Sequence, residues 1–310
     1  MKKLALVLGG GSSKGYAHIG VLKVLEKNGI KPDIIVGTSM GALVGGFYCA
    51  GISVERLEDL AEKFNSLGPF SLYSALFKDN LLNVDKVKRL INKELKDKTH
   101  DECDIKFVSV STELNLGKEY HFDSGLLRES VLASISIPGV FPRFKKGENV
   151  FVDGGLLNNL PEDVAKEYMP DAVIISVDVI GDYSKQIEKQ RIKTVETIMN
   201  ATTLMTQTIM NSKPKMADLR IEISQPNVSQ MDFSKKSAQR AIHKGASVTR
   251  QYIAKIKQLL GIKDDQPKKA KKPKTVNSVI AKDNEQIKSE HIKSKGTNGK
   301  ETKDIKETNE

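Results

Sequence analysis

An α/β fold around a mostly parallel sheet is predicted by three stretches of the 310-residue chain. Residues 3–8, KLALVL, read as a short strand that empties into Gly9-Gly10-Gly11-Ser12-Ser13-Lys14-Gly15 and then into a helical pattern, YAHIGVLKVLEKNGI. Residues 33–50, DIIVGTSMGALVGGFYCA, repeat that order of apolar strand, tight turn and small-residue helix. Residues 172–180, AVIISVDVI, form the most continuous β-branched run, as in a strand buried on both faces. Two parallel strands joined by a helix make a right-handed βαβ unit, so the first two loop tips lie side by side at the carboxyl edge of the sheet.

The loop at 9–15 joins a strand end to a helix N-terminus, a setting that binds anions through backbone N–H groups. A dinucleotide fingerprint fails on spacing: counted from Gly9 the sixth position is Lys14, and counted from Gly10 the third is Ser12. A phosphate-binding P-loop would need lysine after Gly15, where Tyr16 stands. An oxyanion hole remains as the functional use, with a plain tight turn as the alternative.

The second loop, Gly37-Thr38-Ser39-Met40-Gly41, is a G-x-S-x-G elbow in a strand-to-helix setting. Such a turn strains the serine backbone and lifts its hydroxyl above the sheet edge, while the following helix dipole favours a nearby oxyanion. Ser39 is therefore the candidate nucleophile. Cys49, inside the apolar helix that follows, is expected to be a core thiol.

Farther along, VERLEDLAEKFNSLG and NVDKVKRLINKELKD have the periodicity of surface helices. Between them, residues 69–82 are rich in Phe, Leu and Tyr without a clean period, and suit either a buried connection or an apolar rim around a substrate mouth. Residues 105–112 and 117–122 read as paired strands, with His121 in the second expected to be packed or at the surface, as His18 is expected to pack on the first helix. Helical residues 125–133 lead into the proline-bounded loop 134–142 and a hairpin ending in Asp153-Gly154-Gly155. Taken alone, Asp153 suits a turn or cap; next to an elbow serine, it becomes the candidate base, and the glycines let another group approach. Asn158-Asn159-Leu160-Pro161 then opens a helix. Asp178 is either a second acidic site or a strand-end aspartate. In the helix at 194–210, Ile198, Leu204, Met205, Ile209 and Met210 are expected to be core. A last strand at 219–224 precedes a long closing helix, with His243 expected to be exposed.

The formal charge is +10, a balance that favours anionic partners, and much of the excess is in the tail. No run approaches the ~18 apolar residues of a membrane-spanning helix, and the apolar run Leu4–Leu8 is too short for a signal-peptide core. With two cysteines and no export signal, a reducing, cytoplasmic home is expected. From Lys263 onward aromatics are absent and apolar residues few, so the expected division is a domain at 1–262 and a disordered, Lys-rich tail at 263–310. The basic cluster at 268–274 suits peripheral contact with anionic lipid on the inner membrane face, nucleic acid, or plain solvation.

On the 9–15 loop with His18-Ile19-Gly20-Val21-Leu22, the 37–41 elbow, the 133–142 loop and Asp153-Gly154-Gly155 with Asn159 and Pro161, the chain resembles the patatin-like phospholipases over about residues 4–260. The resemblance implies a three-layer α/β/α sandwich and a Ser-Asp dyad in place of a triad. Ser39 then matches the family's nucleophile and Asp153 its base. The N–H groups of Gly10, Gly11 and Ser12 match its oxyanion hole, and Lys14 its basic position beside that loop. Gly9, Gly15, Gly37, Gly41, Gly154 and Gly155 support the motifs. In one departure, Ser12 stands for a third glycine; if that position needs φ > 0, serine costs on the order of 1 kcal/mol, and altered efficiency is expected before loss of activity.

The expected activity is acyl-ester hydrolysis of a phospholipid, lysophospholipid or other acyl lipid, with neither metal nor cofactor and with no nucleic acid as partner. A lone carboxylate is a weak base near its ordinary pKa of ~3.9, so burial must raise it or its hydrogen bond must be well aligned. Two rivals stand beside this. One is an ordinary α/β-hydrolase using Asp178 and His243 with Ser39; the other is a non-catalytic lipid- or nucleic-acid-binding protein led by its tail.

Overall fold

The computed structural model describes residues 1–66, 81–181, 194–225 and 228–263. Residues 69–80, expected as a buried connection or an apolar rim, and the tail beyond Lys263 lie outside the described residues.

The elements are β1 (Leu4–Leu8), a 3-10 turn (Ser12–Tyr16), α1 (Ala17–Lys27), β2 (Ile34–Thr38), α2 (Met40–Cys49), α3 (Val54–Ser66), α4 (Leu81–Leu95), β3 (Lys106–Glu113), β4 (Lys118–Phe122) and α5 (Leu127–Ser134). They continue with β5 (Phe144–Lys146), β6 (Asn149–Asp153), α6 (Glu162–Tyr168), β7 (Val173–Asp178), α7 (Thr194–Ser212), β8 (Leu219–Glu222) and α8 (Lys235–Leu260). Strands β3, β2, β1, β7 and β8 run parallel in that order, while β4, β5 and β6 join antiparallel.

Period-two alternation along the strands builds two cores. Leu4, Leu6 and Leu8 face helices α1, α2 and α8 on one side, and Ala5 and Val7 join Ile34, Val36, Val108 and Val110 under α6 on the other. The result is the α/β/α layering the resemblance implies. Each fully buried Leu, Ile or Val contributes ~1.5–3 kcal/mol. Helices α1 and α8 cross in near backbone contact: a Cβ on Gly20 would stand 2.0 Å from Ile242 O, and one on Gly245 2.1 Å from Ala17 O.

Strand β3 serves as the rail on which the site is laid out. Its residues 106–110 pair with β2, its residues 109–113 with β4 and its residues 111–113 with β6. Since β4 shares positions with each of the others, β2 and β6 must occupy the opposite edge, end to end. The two strands run toward each other and stop at Thr38 and Asp153.

One sequence expectation fails in α7. Leu204 and Met205 are 40% and 67% exposed, so these two members of the stripe predicted as core are not core, although Met210 does pack on the sheet. The inward face of this helix carries threonines instead. Cys49 is buried, as expected.

Candidate active site

Ser39 follows the last residue of β2 with φ 53° and ψ −121°, a conformation that costs a non-glycine residue about 1–3 kcal/mol and persists only where the surroundings enforce it. Here they do. The Ser39 N–H donates to Ser134 Oγ at 2.9 Å, Ser134 Oγ donates to Val110 O at 2.6 Å, and Thr38 Oγ1 donates to Asn158 O at 2.9 Å. Behind the elbow, Gly41 passes so close to β1 that a Cβ would lie 2.0 Å from Leu8 O. No side chain fits there, which is why the motif needs glycine.

Asp153 closes β6. Its N–H donates to Ser136 O at 3.0 Å, its carbonyl accepts from Thr112 Oγ1 at 3.1 Å, and its Oδ1 accepts the Gly155 N–H at 2.7 Å. The side chain is buried, and burial raises its pKa to about 6; the Ser39 hydroxyl and the Gly155 N–H act against that rise. Serine and carboxylate are thus within electrostatic reach. Even so, Oδ2 has no hydrogen bond of full geometry among the described residues, the loose alignment common in a free enzyme before substrate tightens it.

The glycine loop is clamped from several directions. Gly9 N–H donates to Val177 O at 3.1 Å, His18 Nε2 bonds Gly9 O at 2.8 Å, and Ser13 N–H donates to Gln230 O at 3.1 Å. Asn159 holds Gly10 on both sides: its carbonyl accepts the Gly10 N–H at 3.0 Å and its Nδ2 donates to Gly10 O at 3.2 Å. The Gly10 N–H is therefore committed within the fold, which removes it from the expected set of three oxyanion donors. Among the described residues the N–H groups of Gly11 and Ser12 have no acceptor, and both residues line the cavity that holds Ser39 and Asp153. Ser12 has φ 50°, so the left-handed backbone that made a glycine the usual choice is present.

Lys14 does not line that cavity. Its side chain is buried, and burial lowers its pKa to about 8 against the charge of Asp178, which favours the protonated form. Asp178 in turn accepts the N–H groups of Ile180 and Gly181 on Oδ1 at 2.9 and 3.0 Å, the work of a strand-end aspartate. His243 lies on the exposed side of α8, in a different surface groove. Neither partner of the alternative triad lines the cavities at Ser39, and among the described residues no histidine does. His121 bonds Glu119 at 2.9 Å, and burial lowers the pKa of His18 to about 4, so His18 is a neutral brace for the glycine loop.

Two cavities meet at Ser12, Ser39 and Ile137. One is partly polar, with Asp153, Asn159, Thr203, Thr206 and Gln230 in its wall; the other is apolar, walled by Leu43, Val87, Ile135, Phe141 and Phe233. Helix α7 roofs the first. Thr206 Oγ1 donates to Gly155 O at 2.9 Å, Gln230 Nε2 to Thr203 Oγ1 at 3.0 Å, and Gln207 Nε2 to Gly181 O. Ser134 and the α7 threonines went unassigned from sequence. Ser134 carries a local signal, since it lies in the 133–142 motif loop; the threonines carry none. Among the described residues no group of three His, Cys, Asp or Glu is placed to hold a metal ion.

A family model described as patatin-like phospholipase matches residues 6–166, which hold the glycine loop, Ser39 and Asp153. The chain is 31% identical over 182 residues to patatin-like phospholipase domain-containing protein 6 of Homo sapiens, covering 57% of this chain and 13% of that protein. It is 32% identical over 192 residues to lysophospholipase nte1 of Aspergillus fumigatus, covering 60% of this chain and 12% of that one. The chain thus spans only a small part of the length of these relatives. VipD from Legionella pneumophila aligns in structure with a TM-score of 0.48 at 16% identity, covering 82% of this chain and 67% of that one. With half of its length under the family model, the chain belongs to the patatin-like phospholipase family.

Proposed function

We propose that this protein hydrolyses carboxylic esters of lipids, phospholipids or lysophospholipids, with Ser39 as nucleophile and Asp153 as its base. The observation that carries this is the meeting, in one cavity, of a strained buried serine, a buried carboxyl with a raised pKa, and two N–H groups with no acceptor among the described residues. Family membership and the phospholipase names of the relatives support it.

Asp153 accepts the Ser39 proton as the hydroxyl attacks the ester carbonyl, and the N–H groups of Gly11 and Ser12 stabilise the oxyanion. The leaving alcohol takes the proton, and water then releases the acyl group by the same steps. The apolar cavity suits the acyl chain, and the threonine-lined cavity suits the polar alcohol side of the ester.

Contact with an anionic membrane from a cytoplasmic location is proposed with it, in preference to nucleic acid. Helix α8 has no Asp or Glu, and its exposed Lys236, Arg240 and Lys244 share one surface groove, a layout that suits acidic lipid. No helix among the described residues is long and apolar enough to cross a membrane.

The test is hydrolysis of a lipid panel by wild type and Ser39→Ala, with fluorophosphonate labelling alongside. Labelling that is lost in Ser39→Ala, together with lost turnover, is expected. Turnover that survives in Ser39→Ala would reject the assignment.

A further inference from the structure

Two features set Ser12 apart within the glycine loop. Its backbone stands at φ 50°, where glycine would be at ease and serine is strained. Its Oγ is buried without a hydrogen-bond partner among the described residues, whereas buried hydroxyls are as a rule paired. Both features fall on a residue that is 6% exposed and lines both cavities meeting at Ser39. The Gly10 N–H, meanwhile, is spent on Asn159, so the backbone offers fewer donors than a three-residue hole would.

We propose that the Ser12 hydroxyl is a side-chain donor to the oxyanion formed when Ser39 attacks an ester, completing with the Gly11 and Ser12 N–H groups a three-donor hole. This rests on the acyl-hydrolase function proposed above. As the Ser39 Oγ–carbon bond forms, the carbonyl electron pair moves to oxygen and the Ser39 proton moves to Asp153. Ser12 Oγ–H donates a hydrogen bond to that oxygen and keeps its proton. On collapse the pair returns, the bond to the alcohol oxygen breaks, and the alcohol leaves with the proton held by Asp153. Among the described residues no hydrogen bond holds the Ser12 side chain in another rotamer, so χ1 rotation can bring the hydroxyl to the charge. Strain and an unpaired hydroxyl are then kept in the free enzyme because the partner exists only during reaction.

The experiment compares wild type, Ser12→Gly and Ser12→Ala on a soluble short-chain ester, with thermal melts. Ser12→Gly is expected to melt higher than wild type, because the strain is relieved, and to lose about 10²-fold in kcat with little change in KM, the usual effect of removing one oxyanion donor. Ser12→Ala removes the hydroxyl without relieving the backbone, so it should lose a similar factor in kcat with no gain in melting temperature. Wild-type kcat in either variant, or a change confined to KM, overturns the proposal. Should Ser12→Ala fail to fold, Ser12→Gly decides alone. Fluorophosphonate labelling that depends on Ser39 would keep the hydrolase function standing even if Ser12 proved inert, while its absence from wild type would remove both.

Discussion

Ser39 and Asp153 meet because one strand pairs with both of their strands in succession: Val110 of β3 faces Thr38, and Ser111, the next residue, faces Asp153. β2 arrives parallel to β3 and β6 antiparallel, so two carboxyl-terminal strand ends abut along one edge. The proposed nucleophile and base are set by adjacent rungs of a single ladder. Neither depends on a flexible loop for its position, which is what the proposed dyad, with no histidine to bridge the gap, requires.

The raised pKa of Asp153 predicts a pH–rate profile. Only the carboxylate accepts the Ser39 proton, so kcat/KM on a soluble ester should climb about tenfold per pH unit below pH 6 and level off above it. A flat profile between pH 4.5 and 7 would remove Asp153 from the base role.

The same group predicts a stability change of definite sign. Its folded pKa, about 6, lies above the ordinary 3.8, so the native state binds more protons between those values and the group's contribution to stability is lost as pH rises through 6. Asp153→Asn, which keeps an oxygen for the Gly155 N–H, should therefore be more stable than wild type at pH 7 by up to about 3 kcal/mol, the difference closing near pH 4. Denaturant melts at the two pH values check this. General-base loss should lower its turnover by about 10²–10⁴-fold.

Ser134→Ala should weaken the elbow without touching the reacting groups. It leaves the buried Ser39 N–H without an acceptor, a loss of about 1–3 kcal/mol, and frees the strained turn to relax, so kcat should fall alongside stability. Unchanged stability and kcat would show that the elbow is held by other contacts.

Gly154→Ala should disturb the base from behind. The added Cβ would stand 2.2 Å from Val110 O, the carbonyl that anchors Ser134, so the β3–β6 junction must open. A loss of about 1–3 kcal/mol from overpacking is expected, with fluorophosphonate labelling of Ser39 reduced. Normal melting and labelling would contradict the packing described.

His243→Gln should leave ester turnover within about twofold of wild type, as for an exposed substitution away from the site. A large loss would favour the histidine-dependent triad instead.

Much of the chemistry was legible in the residues because it is local. Gly37-Thr38-Ser39-Met40-Gly41 states its strand-to-helix turn within five positions, and Ser39 indeed has a positive φ. The strain at Ser12 was foreseeable from a glycine position filled by serine. The α7 stripe departs from expectation at Leu204 and Met205 because helical period alone does not say which face turns inward. Leu204 and Met205 face solvent, while the threonines one and two positions away cover a polar cavity.

By itself, the sequence determined the strands, the helices and the elbow that carries the proposed nucleophile, since hydrophobic period and glycine placement act over a few residues. Tertiary structure alone decided that Asp153 abuts Ser39, that Asn159, 149 residues away, uses up the Gly10 N–H, and that threonines from α7 close the cavity. The reason is physical. Which donor is left free and which carboxyl is stripped of water depend on what remote segments bring to the site, and those contacts form only when the whole sheet is assembled.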